Sequence, residues 1–200
     1  MWNIAYAAIE AESDGPRTVI VGSDDQQDPK FAFLFENVAP KLDIAAFRDF
    51  ANKNKGDAER GGKIFANPQG VACVKCHAVS GTGGKVGPNL VGIGVRYNRD
   101  ELMRSILEPS NRIANGYDVM TVVTNDGKPL TGILKLDSPE AVELMTVEGK
   151  QIRIPNGDID ERLKSPVSLM PNGLKDGLTL QDFADIVAFL EGLKQPPVAK

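Results

Sequence analysis

Both cysteines and the only histidine of this 200-residue chain fall within five positions, Cys73-Val74-Lys75-Cys76-His77. Two thiols at this spacing can add to the two vinyl groups of a haem, while the imidazole of the next residue reaches the iron. Cys-x-x-Cys-His is for this reason the attachment sequence for c-type haem. The motif predicts one covalently attached haem c, held by Cys73 and Cys76 and ligated by His77.

Two other kinds of cysteine site fit the motif less well. A structural zinc site needs four ligands, and the Cys and His residues of this chain total three, all within the motif. A redox-active dithiol belongs at the start of a helix that follows a buried strand. Residues 61–68, upstream of the motif, are instead typical of a helix ending. A redox dithiol and a structural disulfide remain the alternatives to haem attachment.

The second axial ligand cannot be another histidine, because His77 is the only one. A methionine sulfur is the next choice. Four of the five methionines are terminal or lie in segments with helix or strand periodicity, where packing is the expected role: Met1, Met103, Met120 and Met145. Met170 differs, because Pro166 and Pro171 restrict the loop around it. Met170 is therefore the candidate for the second ligand.

Helical patterns flank the motif on both sides. Apolar spacing predicts helices at residues 42–53 and 57–66 before it, the second with Asp57 as N-cap. Capping-box sequences at residues 98–101 and 179–182 open two further helices after it. The last of these carries an apolar stripe at helical spacing: Leu180, Phe183, Val187 and Leu190.

Between residues 118 and 158 the apolar period changes to two. Alternation on both sides of Asn125-Asp126-Gly127 predicts one hairpin, and a second is predicted to turn at Glu148-Gly149. Residues 118–158 are therefore expected to form a small antiparallel β-insertion. Removing them leaves residues 56–117 and 159–200 for a helical haem domain, so the fold is predicted to be mainly α.

Segments on both sides of the motif resemble class I cytochromes c: Gly56-Asp57-Ala58-Glu59-Arg60-Gly61, Gly87-Pro88-Asn89-Leu90-Val91-Gly92-Ile93-Gly94 and Met170-Pro171. Others are similar to the narrower planctomycete (Pirellula/Verrucomicrobium) haem-binding type of cytochrome c domain: Ser105-Ile106-Leu107-Glu108-Pro109-Ser110, Gly116-Tyr117, Thr131-Gly132, Ile154-Pro155, Asp158-Ile159 and Ser165-Pro166-Val167-Ser168-Leu169-Met170-Pro171. The resemblance covers roughly residues 56 to 193.

The resemblance implies a role for each matching residue. Cys73 and Cys76 would hold the haem covalently, and His77 and Met170 would be its proximal and distal iron ligands. The carbonyl of Pro88 would accept a hydrogen bond from the proximal imidazole, which fixes the orientation of the ring. The implied fold is a class I cytochrome c helical haem domain that carries the β-insertion and an N-terminal extension.

The implied function is outer-sphere electron transfer rather than enzymatic catalysis, because a His/Met-ligated haem has no open position for a substrate. The expected partners are redox proteins. In this family a dehydrogenase domain often precedes the haem domain in the same longer chain. The alternative is a haem-based sensor or enzyme in which Met170 is labile. It has no distal histidine for acid–base chemistry, since His77 is the only histidine.

Composition limits the remaining possibilities. A net charge of −4 and a pI near 5.1 argue against nucleic acid as the partner. No stretch approaches the roughly 18 apolar residues that a membrane span needs. Covalent haem attachment implies a periplasmic or otherwise extracytoplasmic location. The first residues show no signal sequence. The signal is therefore expected to belong to a longer natural chain.

Residues 1–55 match no motif and are predicted as an N-terminal extension of unknown role. Two apolar segments lie within it, residues 18–21 and 31–35. Exposed apolar segments of this kind favour self-association. Residues 1–55 could be the end of a preceding helical repeat or a packing arm; if they are exposed, a homodimer is expected.

Overall fold

The computed structural model describes residues 5–9, 17–21 and 42–194. The chain divides into two compact units, residues 1–41 and 42–200. In the first unit, strands β1 (Ala5–Ile9) and β2 (Arg17–Val21) form an antiparallel pair. The apolar segment at residues 18–21 lies in β2, whereas residues 31–35 lie outside the described residues. The homodimer stays a prediction.

The described residues of the second unit form five α-helices: α1 (Ile44–Lys53), α2 (Ala58–Ala66), α3 (Ile93–Arg96), α4 (Arg99–Leu107) and α5 (Leu180–Gly192). The expected start signals are confirmed. The Asp57 carboxylate accepts hydrogen bonds from the first-turn amides of α2. Capping boxes close the N-termini of α4 and α5. Among the described helices, none is long and apolar enough to cross a membrane.

The helical core is built on the crossing of α2 and α5. At Gly61 the two backbones approach so closely that a Cβ atom would lie 1.9 Å from the carbonyl oxygen of Asp185. On α5, the Phe183 ring meets Phe47 of α1 edge-on, with 5.5 Å between ring centroids. Helix α1 lies within the predicted N-terminal extension, yet its buried residues belong to the same core as α5.

A five-stranded antiparallel sheet follows α4 in the chain. Its strands are β5 (Val119–Thr124), β6 (Pro129–Asp137), β7 (Ala141–Met145), β8 (Gln151–Pro155) and β9 (Ile159–Ser165), in the spatial order β8-β7-β6-β5-β9. A separate short hairpin, β3 (Ala78–Val79) and β4 (Thr82–Gly83), lies directly after the Cys-x-x-Cys-His motif.

The five-stranded sheet curls on itself. Its outer strands β8 and β9 are joined by the three residues of a one-turn 3₁₀ helix, Asn156–Asp158. In a flat sheet the outer two of five strands lie about 19 Å apart, and the chain from Pro155 to Ile159 can span at most about 15 Å. The curl encloses an apolar core supplied by the strands themselves, with these buried members: Val122, Val142, Leu144 and Ile154.

The prediction of a mainly α fold is wrong. The described residues form nine β-strands, and the five-stranded sheet has its own core. The strand missing from the prediction is β9, in which five consecutive residues from Asp160 to Lys164 are exposed. An edge strand with so few buried side chains leaves little apolar alternation in the sequence. Its pairing with β5 determines its conformation instead.

Candidate haem site

The two thiols of the motif lie on one turn of the chain. Residues Cys73–Lys75 form a 3₁₀ helix, and the amides of Cys76 and His77 both donate to the carbonyl oxygen of Cys73, at 3.1 and 2.9 Å. Both cysteines are free and half-buried. The turn thus presents two unpaired thiols and the imidazole from a single compact segment.

The imidazole of His77 is fixed by a hydrogen bond. Its Nδ1 lies 2.8 Å from the carbonyl oxygen of Pro88. A carbonyl can only accept, so Nδ1 carries the proton and donates it. Burial lowers the pKa of His77, although the bond to Pro88 acts in the opposite direction. The ring is therefore neutral at pH 7, and Nε2 keeps the lone pair that a metal ligand requires.

The chain after the motif wraps closely around this turn. The amide of Gly84 donates to the carbonyl of Val74 at 2.8 Å, and that of Gly87 donates to the carbonyl of Cys76 at 2.8 Å. Gly87 also lies against the His77 ring, where a Cβ atom would be 2.6 Å from Cε1. The carbonyl of Pro88 and the backbone of Gly87 thus hold the imidazole from two directions. This arrangement suits a ligand of fixed orientation.

The alternative uses of the cysteines find little support in the geometry. Burial raises the pKa of the Cys73 thiol, whereas a redox-active dithiol needs a lowered pKa. The two thiols form no disulfide. Among the side chains that the structure describes, no three His, Cys, Asp or Glu residues converge on a metal-binding position. The residues present therefore fit haem attachment better than zinc or dithiol chemistry.

The Met170 loop follows β9 and borders the same region as the turn of residues 73–77, which we call the attachment turn. Met170 is half-buried, and its amide donates to the hydroxyl of Ser168 at 3.1 Å. Its neighbour Leu169 packs on an apolar cluster of three buried residues, Val86, Ile133 and Met145. Cys76 packs on the same cluster. The structure thus brings the loop that carries Met170 and the attachment turn to one shared apolar cluster.

The other described methionines have packing roles, as predicted. Met103 is fully buried in the helical core, and Met145 is buried in the cluster beside Cys76. Met120 packs on the core of the curled sheet. Met1 lies outside the described residues. Met170 is a member of none of the apolar clusters formed by the described residues, which leaves its sulfur without an assigned packing role.

The apolar cluster beside Cys76 was not predicted from the sequence. Ile133 and Met145 occupy paired positions on β6 and β7. Each lies next to a residue that faces the interior of the curl, Leu134 and Leu144, so each points to the opposite face of the sheet. In the sequence, Ile133 and Met145 are apolar at positions where a regular alternation would place polar residues, and this could have indicated the cluster. They indicate that the sheet packs on both of its faces.

Comparison with known proteins agrees with this geometry. Residues 58–144 match the family model described as Cytochrome c. The match includes α2, the attachment turn, Pro88 and the first strands of the sheet, and it ends before Met170. No curated protein matches the chain. Proteins of this family are haem-iron proteins of electron transport. The match supports a cytochrome c domain, and such a domain implies covalently attached haem c.

Proposed function

We propose that this chain is a monohaem c-type cytochrome that transfers electrons by an outer-sphere route. Cytochrome c domains generally transfer electrons, and the family match supports this function. The observation that carries the proposal is the hydrogen bond between His77 Nδ1 and the Pro88 carbonyl beside two free thiols. It gives the imidazole the tautomer and the fixed orientation of an axial ligand.

Each residue then has a defined task. Cys73 and Cys76 would hold the haem through thioether bonds, and His77 and Met170 would ligate its iron. When bound, haem c supplies a one-electron Fe(III)/Fe(II) couple, and His/Met ligation raises its potential. Pro88 orients the proximal imidazole, while the buried cluster of Val86, Ile133 and Met145 excludes water beside Cys76.

The partners are redox proteins, and we propose a dehydrogenase as the electron donor. The segments quoted above support the planctomycete haem-binding type, in which a dehydrogenase domain often precedes the haem domain in one longer chain. Cytochrome c domains are often extracytoplasmic, and we propose a periplasmic location for this one.

Absorption spectra of the mature haem protein test the ligand set. We expect the oxidised protein to show the weak far-red band of methionine ligation, and the reduced protein to show sharp α and β bands. Met170→Ala should abolish the far-red band. Met120→Leu, which changes a methionine in the core of the sheet, should retain it.

A high-spin oxidised spectrum in the unsubstituted protein would contradict the proposal. So would a far-red band that survives Met170→Ala. Either result would favour the alternative of a haem-based sensor or enzyme with an open or labile distal position.

A further inference from the structure

We propose that Ser110 and Ser168 are positioning residues that hold the backbone of Met170 in place for iron ligation. The proposal rests on the proposed function, because it assumes that Met170 is the distal ligand. It concerns two hydroxyl groups that belong to different parts of the chain. Together they form a continuous hydrogen-bonded path from the end of α4 to the amide of Met170.

The path consists of two hydrogen bonds in series. The amide of Met170 donates to Ser168 Oγ at 3.1 Å. The amide of Ser168 in turn donates to Ser110 Oγ at 3.1 Å, across 58 positions of the sequence. Ser168 is thus fixed through its own amide and fixes Met170 through its hydroxyl. Losing either hydroxyl frees the amide of Met170 from the end of α4.

Ser110 is itself attached to a rigid part of the fold. It follows Pro109, which is buried, and Glu108, which forms an ion pair with Arg48 of α1. Asn111 donates from its amide to the carbonyl of Glu108 at 3.0 Å, and from its side chain to Glu108 Oε1 at 2.9 Å. The hydroxyl that receives the loop is therefore anchored to the helical core by the residues on both sides of it.

A third serine, Ser165, ends β9 where the loop begins and has a purely local role. Ser165 Oγ accepts from the amide of Val167 at 3.1 Å and lies 3.3 Å from the carbonyl oxygen of Val167. These contacts have the same chemistry as the bond between Ser168 and Met170, but they do not reach Met170 or α4. Ser165 is consequently a matched control for the loss of one serine hydroxyl from this loop.

The expected effect is a change in how easily an external ligand replaces the methionine. An external base displaces a thioether only if the loop moves away, and each bond that holds the loop opposes that movement. A hydrogen bond of ordinary strength alters such an equilibrium by about three- to tenfold. Removing the path should therefore strengthen the binding of an external ligand by about that factor.

The experiment is a titration of the oxidised haem protein with imidazole, in which the loss of the far-red band measures binding. We expect Ser168→Ala and Ser110→Ala each to lower the apparent Kd for imidazole by about three- to tenfold. Ser168→Thr, which keeps a hydroxyl, and Ser165→Ala should bind imidazole as the unsubstituted protein does. The double variant Ser110→Ala/Ser168→Ala should lower the Kd only slightly more than the stronger single variant does, because both bonds belong to one path.

Two results would overturn the inference while leaving the proposed function intact. One is an unchanged Kd in Ser168→Ala and Ser110→Ala, and the other is an equal change in Ser165→Ala. If the unsubstituted protein lacks the far-red band and binds imidazole like Met170→Ala, the proposed His/Met ligation fails and the inference fails with it. The α band of the reduced protein and the circular dichroism spectrum show whether each variant is folded. If Ser168→Ala does not fold, Ser110→Ala alone tests the path.

Discussion

Gly87 leaves no room for a side chain beside the imidazole of His77. A Cβ atom there would lie 2.6 Å from His77 Cε1 and 2.8 Å from Nδ1. We expect Gly87→Ala to displace the ring from Pro88 and to lower the free energy of unfolding by about 1–3 kcal/mol. Denaturant unfolding and the oxidised spectrum of the haem protein measure the two effects. Gly157→Ala, where a Cβ atom meets nothing within 4 Å, is the control.

Residues differ in how much of their role could be predicted from the sequence. Cys73, Cys76 and His77 are adjacent, so their shared chemistry is visible without a fold. The bond to Pro88 followed from the resemblance. Asp185 was not singled out, because it lies within an apolar helix and its partners are remote. It is fully buried, pairs with Arg60, and accepts from the amide of Asp57 across 128 positions.

The crossing of α2 and α5 depends on a single missing side chain. Since a Cβ atom at Gly61 would lie 1.9 Å from a carbonyl oxygen of α5, Gly61→Ala must separate the two helices. We expect the free energy of unfolding to fall by about 1–3 kcal/mol, and by more if the core cannot adjust. Gly192→Ala, at a site with open space, should leave stability unchanged or raise it slightly. Equal losses in both variants would contradict the role of the crossing.

The capping box of α5 makes stability depend on pH. Burial raises the pKa of Asp182, but the Thr179 hydrogen bonds and the charge of Arg60 outweigh it, so the pKa lies below 3.8. The stabilisation is therefore complete above pH 3.8 and is lost as the pH falls through the lowered value. Asp182→Asn should cost about 0.5–1 kcal/mol at pH 7.

Denaturant unfolding at a series of pH values tests this dependence. The difference between the unsubstituted protein and Asp182→Asn should shrink as the pH falls below 3.8. Asp160→Asn, which removes an exposed carboxylate from β9, is the charge-matched control. A difference that stays constant down to acid pH would contradict the assignment.

Among the secondary-structure elements, the starts of helices were more predictable from the sequence than the pairing of strands. The helices with Asp57, Asn98 and Thr179 as N-caps begin where their capping residues indicate, because capping is a local interaction. The turns at residues 125–127 and 148–149 are likewise local. Strand β9 is held by its register with β5, a contact between distant residues that leaves no local pattern.

The curled sheet has two apolar faces with different roles. Ile133 faces the attachment turn, whereas Val142 belongs to the core inside the curl. Both are buried. We expect Ile133→Ala to cost about 2–4 kcal/mol and to alter the haem spectrum. Val142→Ala should lower stability without altering the spectrum. Identical spectra in the two variants would show that the sheet does not influence the haem.

For the whole molecule, the sequence predicts a helical haem domain with a β-insertion. It does not predict that the insertion has a core of its own. The alternation in residues 118–158 predicts only two hairpins attached to a helical core. The curl gives them a core of their own, and this depends on how the outer strands are joined rather than on any single strand. The predicted division at residues 56–117, 118–158 and 159–200 stays a prediction. The sheet itself extends to Ser165.

The pairing of Val119 with Ser165 means that the chain enters and leaves the sheet through neighbouring positions. Paired Cα atoms of antiparallel strands lie about 5 Å apart. A linker of a few residues between Asp118 and Pro166 could therefore join the two flanks of the sheet, although it would remove Ile133 and Met145 from the cluster beside Cys76. Excising residues 118–158 instead would leave β9 without the strand on which it pairs. The sheet begins and ends at Val119 and Ser165, so these residues, rather than 118 and 158, bound the inserted structural unit.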